Sequence, residues 1–211
     1  MGEARRKRAL AQQLESQRGA LDAAVKQVSH ALRRFAAAAS ASLGSDCYTH
    51  AELGRVLLGD LGFTFETRVG AAAWRVGRGD PDIVSHIPNV RGHLPPGTRG
   101  FAYHAWLESR DWLVDFTTYQ LRRKGAELDA LDGGATNVDW CPDYLLLSRP
   151  EILAFHTVRR APSAGGAFYE SSAQLAELMA SGYHLDAEDV ATARLIMRNP
   201  EMKVLGPNML L

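Results

Sequence analysis

Near the start of the chain Leu10, Leu14, Leu21, Val25, Val28, Leu32 and Phe35 recur at three-, four- and seven-residue steps in a background of Ala, Gln, Lys and Arg. Residues so spaced gather on one face of an α-helix, so residues 3 to about 40 are expected to form an amphipathic helix, or two helices broken near Gly19. Small residues from Ser40 to Gly44 then read as a linker. Ser45 or Asp46 offers a side-chain oxygen to cap a second helix from Cys47 to about Gly59, with Leu53, Val56, Leu57 and Leu58 on its buried face.

Past Gly62 the period shortens to two. Phe63 to Val69, Ala73 to Val76, Phe101 to Glu108 and Asp111 to Phe116 read as strands, the last two joined by a tight turn at Ser109-Arg110. Between the second and third, Gly77 to Gly100 is rich in proline and glycine and contains His86 and His93. A loop of that length inside a compact domain is usually functional or mobile. Farther on, Tyr119 to Leu131 reads as a helix, Asp143 to Leu147 and Leu153 to Arg159 as strands, and Ala164-Gly165-Gly166 as a turn. Ser171 or Ser172 caps a helix over Ala173 to Ala180, and Asp186 caps one over Ala187 to Arg198, stopped by Asn199-Pro200. The order implies an α+β fold in a single domain, residues 1–211. Within it, residues 1–44 form a helical extension, 45–170 the core and 171–211 the C-terminal helices.

Composition narrows the partners. The 211 residues are 46% hydrophobic, enough for one sizeable core. Basic and acidic residues balance at 24 each, so no overall field points to nucleic acid or a membrane surface, and Arg5-Arg6-Lys7-Arg8 reads as a solvated helix end. No run approaches a membrane span and no apolar signal-peptide core is visible. Two cysteines, Cys47 and Cys141, are too few for a disulfide framework and lack zinc-site spacing. A soluble, cytoplasmic protein without cofactor or metal is expected. The apolar stripe of the first helix packs either on its own domain or on a second copy, which leaves a homo-oligomer open.

Three residues carry candidate chemistry. Cys47 opens its helix, where unpaired amides and the positive end of the dipole favour a thiolate, the form in which cysteine is a nucleophile. A cysteine taken alone reads more simply as a small buried apolar residue. His104, on a core strand between Tyr103 and Trp106, is placed to take and return a proton. Asp115 stands among apolar residues in Trp112-Leu113-Val114-Asp115-Phe116-Thr117 and needs a partner there. With the turn at Ser109-Arg110, Asp115 falls opposite His104, with side chains roughly 5 Å apart on one face. A carboxylate so placed holds the imidazole's tautomer and raises its basicity. A one-residue slip would send the two to opposite faces.

Other candidates carry less. His50 lies on the Cys47 face of its helix as half of a Cys-x-x-His metal site completed by His104 or Asp115, or as a partly exposed polar residue. His86 and His93 read as solvated loop histidines. Trp74, Tyr103 and Trp106 line a substrate groove or fill the core, and Cys141, before Pro142, reads as structural. The Cys47 amide is a natural oxyanion donor, and the second donor is not located by sequence.

The segments Cys47 with Ala51-Glu52-Leu53, Leu57-Leu58-Gly59-Asp60-Leu61-Gly62-Phe63, His104-Ala105-Trp106-Leu107-Glu108 and Trp112-Leu113-Val114-Asp115-Phe116-Thr117 resemble the transglutaminase-like core of the papain-like thiol superfamily. The resemblance covers about residues 45 to 120. It implies a cysteine-bearing helix packed on an antiparallel sheet, with nucleophile Cys47, base His104 and orienting Asp115. The hairpin is shorter than in many members, and Asp115-Phe116 stands where Asp-Pro is usual; neither departure removes a catalytic group. The terminal helices match no well-described member, which suggests a small bacterial subfamily. The expected function is cysteine-dependent acyl transfer on an amide or peptide through a thioester on Cys47, with hydrolysis ahead of transamidation. The alternatives are a non-catalytic protein-binding domain of the same fold and an N-acyltransferase fed by an acyl thioester.

Overall fold

The computed structural model describes residues 2–39, 46–87 and 102–206. The expected linker, Ser45, His93 and most of the 77–100 loop lie outside them. Helix α1 (Gly2–Ala38) runs unbroken through Gly19. A single glycine costs a helix only about 1 kcal/mol, and the helix is held by burial beyond it. Leu21, Val25, Val28, Leu32 and Phe35 form one cluster with Leu53, Leu57 and Leu58 of α2 (Cys47–Asp60) and with Ala193, Ile196 and Met197 of the last helix, α6 (Ala187–Arg198). From Leu21 onward, therefore, the stripe packs on its own domain.

Among the described residues the sheet has six strands, all paired antiparallel: β1 (Glu66–Arg75), β2 (Ile83–His86), β3 (His104–Glu108), β4 (Trp112–Asp115), β5 (Leu145–Ser148) and β6 (Ala167–Ser171). Two expected strands, Phe63 to Val69 and Ala73 to Val76, are one. Gly70 and the alanines after it lack strand propensity, yet they allow β6 to approach: a Cβ on Gly70 would collide with the Glu170 carbonyl. Along one edge of β1, β6 pairs from Gly70 to Trp74. The other edge is shared end to end, by β3 opposite Glu66 to Gly70 and by β2 opposite Ala72 to Arg75. The chain thus leaves this edge at His86, partner of Ala72, and returns at His104, partner of Gly70.

Alternation along the strands builds two layers of core. Val69, Ala105, Leu107 and Val114 meet α1, α2 and α6, whereas Trp74, Val84, Trp106, Leu113 and Tyr169 face Leu121 at the start of α3 (Leu121–Asp132). The molecule is α+β. One expected strand is wrong: Leu153 to Arg159 contains a helix, α4 (Phe155–Arg160). Its last-turn carbonyls, those of Val158 and Arg159, accept from the buried Arg75 guanidinium, a cation closing a helix C-terminus. The helices capped by Ser172, α5 (Ala173–Gly182), and by Asp186 stand where the capping signals put them. No helix among the described residues is long and apolar enough to cross a membrane.

Candidate active site

The β3–β4 hairpin pairs Leu107 with Val114 and Glu108 with Leu113, and the Ser109 amide donates to the Trp112 carbonyl at 2.8 Å. The turn is therefore Arg110-Asp111, one residue later than expected, and His104 is not directly opposite Asp115. Moving a hairpin turn by one residue displaces the cross-strand pairing by two, and a two-residue displacement keeps every side chain on its face. The pair consequently meets on the diagonal, His104 Nε2 to Asp115 Oδ2 at 2.8 Å.

Both members of the pair are fully buried. Asp115 Oδ2 also accepts from Tyr169 Oη at 2.8 Å, and Oδ1 accepts from the Thr117 amide at 2.8 Å and the Thr117 hydroxyl at 2.9 Å. Tyr169 Oη in turn accepts from Trp74 Nε1 at 2.8 Å. Burial alone would raise the Asp115 carboxyl. His104 beside it, together with the Lys124 charge and the Thr117 amide, outweighs that effect and holds the group well below the usual carboxylate range. Burial pushes His104 down, but the Asp115 charge and hydrogen bond, with a contribution from Cys47, leave its pKa raised. The remaining ring nitrogen, Nδ1, is buried and has no partner in good hydrogen-bond geometry. Cys47 is near enough to act on the ring without being aligned as a hydrogen bond.

Cys47 is the first residue of α2, and the cap is Asp46. Asp46 Oδ1 accepts from the Tyr48 and Thr49 amides at 2.9 and 3.3 Å, and Oδ2 accepts from the Thr49 hydroxyl at 2.7 Å. The Cys47 amide has no acceptor among the described residues. His50 is buried rather than partly exposed. Its Nδ1 lies 2.8 Å from the Asp46 carbonyl, which can only accept, so Nδ1 carries the proton and Nε2 accepts from Tyr119 Oη at 3.1 Å. Burial pushes its pKa down, which suits that neutral form. With both nitrogens used, His50 ties the cap of α2 to the segment after β4. The alternative reading of Cys47 and His50 as half of a metal site gains no further ligands: no group of three potential ligands occurs among the described residues.

A cleft of about 280 Å³ opens beside Cys47, lined among others by Asp46, His86, Tyr103, Lys124 and Glu127. His86 is no loop histidine. Because it and His104 sit opposite alternate residues of β1, their rings stack 6.0 Å apart, 15° from parallel. Its Nε2 is buried without a partner, and burial holds its pKa well below the usual histidine value. Trp74 and Trp106 are core residues, whereas Tyr103 lines the cleft. Cys141 donates its thiol to the carbonyls of Thr118 and Tyr119 at 3.4 and 3.2 Å, as a structural residue would.

Sequence reasoning missed Tyr169, Thr117, His86 and Lys124. Thr117 carried a signal, since an aspartate commonly accepts from the backbone two residues on. Tyr169 stands in Phe168-Tyr169-Glu170 after Gly165-Gly166, an alternation too short to read as a strand by itself.

No protein-family model matches the chain, and no curated protein matches it. A crystal structure described as that of the genomics target APC5867 is similar over 83% of this chain and 78% of its own, with a TM-score of 0.54 and 15% sequence identity. At that identity the similarity shows a common fold and nothing of activity.

Proposed function

We propose that the chain is a cysteine-dependent acyl-transfer enzyme with a transglutaminase-like, papain-like core, acting on an amide or peptide bond through a thioester on Cys47. The observation that carries this reading is His104. It is a fully buried imidazole with Nε2 fixed on a fully hydrogen-bonded carboxylate, and its other nitrogen lies unsatisfied near a thiol at a helix N-terminus. His50, by contrast, has both nitrogens paired, and His86, unpaired at Nε2, has no carboxylate on its ring as His104 has.

In the proposed cycle the Cys47 thiol passes its proton to His104 Nδ1, and Sγ attacks the substrate carbonyl carbon. The oxyanion forms beside the Cys47 amide, the first-turn donor that Asp46 leaves free. As the tetrahedral adduct collapses, the C–N bond breaks and His104 protonates the departing amine. Water then gives a proton to His104 and its oxygen to the thioester carbon, releasing the acid and returning the proton to Sγ. Asp115 stays ionised throughout, holding the proton of His104 on Nε2 so that Nδ1 faces the thiol. Water is the acceptor we favour over an amine, in keeping with the small cleft.

The test is competitive alkylation. Iodoacetamide should modify Cys47 at least about tenfold faster than Cys141, and His104→Ala should remove the difference. Equal, slow labelling of the two thiols would end the proposal.

A further inference from the structure

Among the described residues two cations are buried, and they are treated differently. Arg75, 2% exposed, is partnered from within: its guanidinium donates from all three nitrogens, to the carbonyls of Val158 at 3.2 Å, Gly79 at 2.6 Å and Arg159. Lys124, 7% exposed, forms neither an ion pair nor a hydrogen bond among the described residues. Its ammonium lies 5.9 Å from the centre of the Trp74 ring, and the residue lines the cleft beside Cys47.

The acids near Lys124 are committed elsewhere. Asp115 accepts four hydrogen bonds from His104, Tyr169 and Thr117. Asp46 caps α2 and binds the Thr49 hydroxyl, and Glu127 pairs with Arg123 at 3.5 Å. His86 and His50 add no negative charge. A nearly buried ammonium that rests on an aromatic face and feels the Asp115 charge without an ion pair or hydrogen bond to it is costly to keep, and a counter-ion arriving in the cleft would relieve that cost. From this we infer that Lys124 is a specificity-determining residue that binds a carboxylate of the substrate, so that the enzyme acts on acyl donors carrying a negative charge close to the scissile carbonyl.

The inference rests on the proposed thiol chemistry. Lysine suits the task because its ammonium is a compact charge that accepts an anion from any direction, whereas a guanidinium demands two aligned oxygens. The helix start supplies the place: Lys124 is the fourth residue of α3, and α3 covers the sheet face that bears His104 and Asp115.

The experiment compares iodoacetate with iodoacetamide as alkylating agents for Cys47 in the full-length protein. They differ in charge and share a leaving group, so the ratio of their rate constants cancels changes in thiol nucleophilicity. The ratio should fall about tenfold in Lys124→Gln and be retained in Lys124→Arg. An unchanged ratio with rapid labelling by both reagents overturns the carboxylate inference and leaves the thiol enzyme standing. Slow labelling by both, no faster than that of Cys141, overturns the enzyme reading as well.

A second measurement needs no variant. Protection of wild-type Cys47 from iodoacetamide is expected from N-acetylglycine, if the carboxylate ends a peptide, or from N-acetylaspartic acid α-amide, if it is a side chain. Neutral N-acetylglycinamide should give none. Equal protection by all three overturns the inference.

Discussion

At the scale of single residues, the site is defined by which titratable groups are paired. Asp115 has four donors, so Asp115→Asn would leave an amide nitrogen facing hydroxyl or amide donors and strip His104 of its counter-charge. The loss should be about 3–5 kcal/mol in urea unfolding, with Cys47 alkylation slowed to the Cys141 rate. Tyr169→Phe is milder. It removes one hydrogen bond to Asp115 and orphans Trp74 Nε1, for about 1–3 kcal/mol.

The histidines set the pH dependence with opposite signs. His50 and His86 have folded pKa values below the unfolded value, so each contributes its stability in full above about pH 6.5 and loses it as pH falls, at up to about 1.4 kcal/mol per pH unit. His104, raised on folding, contributes in full below that value and loses its contribution as pH rises through its folded pKa. Below pH 6.5 the two depressed histidines therefore govern. The urea midpoint should drop between pH 6.5 and 5, and His86→Phe should make that acid limb visibly shallower; an identical limb in the variant would refute the assignment.

At the scale of elements, the sequence was legible wherever one element specified itself. The caps at Asp46, Ser172 and Asp186, the apolar stripe of α1 and the alternation of β3 and β4 are local signals, and the elements formed where they stand. Illegible pieces depend on a neighbour. The strand β6 exists because Gly70 and the alanines of β1 admit it, and α4 ends on carbonyls that a β1 guanidinium, 83 residues from Val158 in the chain, satisfies. His104 and Asp115 survived an error of one residue in the turn because the error preserved their face. His86 did not, because nothing local says that β2 and β3 share an edge of β1.

Gly54 in α2 shows the same dependence. Helix propensity alone favours Gly54→Ala by about 1 kcal/mol. A Cβ there would collide with the ring of Phe116, which follows Asp115 and is 2% exposed. Overpacking of this kind typically costs about 1–3 kcal/mol, so Gly54→Ala should destabilise the protein. Phe116→Leu combined with it should recover part of the loss in a double-mutant cycle, whereas stabilisation by the single change would show that α2 moves freely over β4.

At the scale of the whole molecule, the question is whether α1 is an appendage or a wall of the core. Residues 1–44 read from sequence as an extension, because an amphipathic stripe does not say what it packs against. In the structure its apolar face from Leu21 to Phe35 shares one cluster with the helix that presents Cys47 and with the sheet face behind His104. Polar contacts add a second attachment, since the Ser29 hydroxyl donates to the Asp143 carbonyl at 3.1 Å and Arg33 pairs with the Asp143 carboxylate at 2.7 Å, just ahead of β5. Removing α1 would expose one side of α2 and loosen the helix start on which the proposed nucleophile depends. Leu32, 2% exposed, tests this. Leu32→Ala should cost about 2–5 kcal/mol, and the loss should appear as one transition, with helical circular dichroism and tryptophan fluorescence, read in a Trp112→Phe background because Trp112 packs on the α1 side, shifting to the same lower urea midpoint. If only the helical signal shifts, α1 unfolds by itself and the site does not rest on it; if both shift together, the helix of Cys47, the strand of His104 and the N-terminal helix are one cooperative unit.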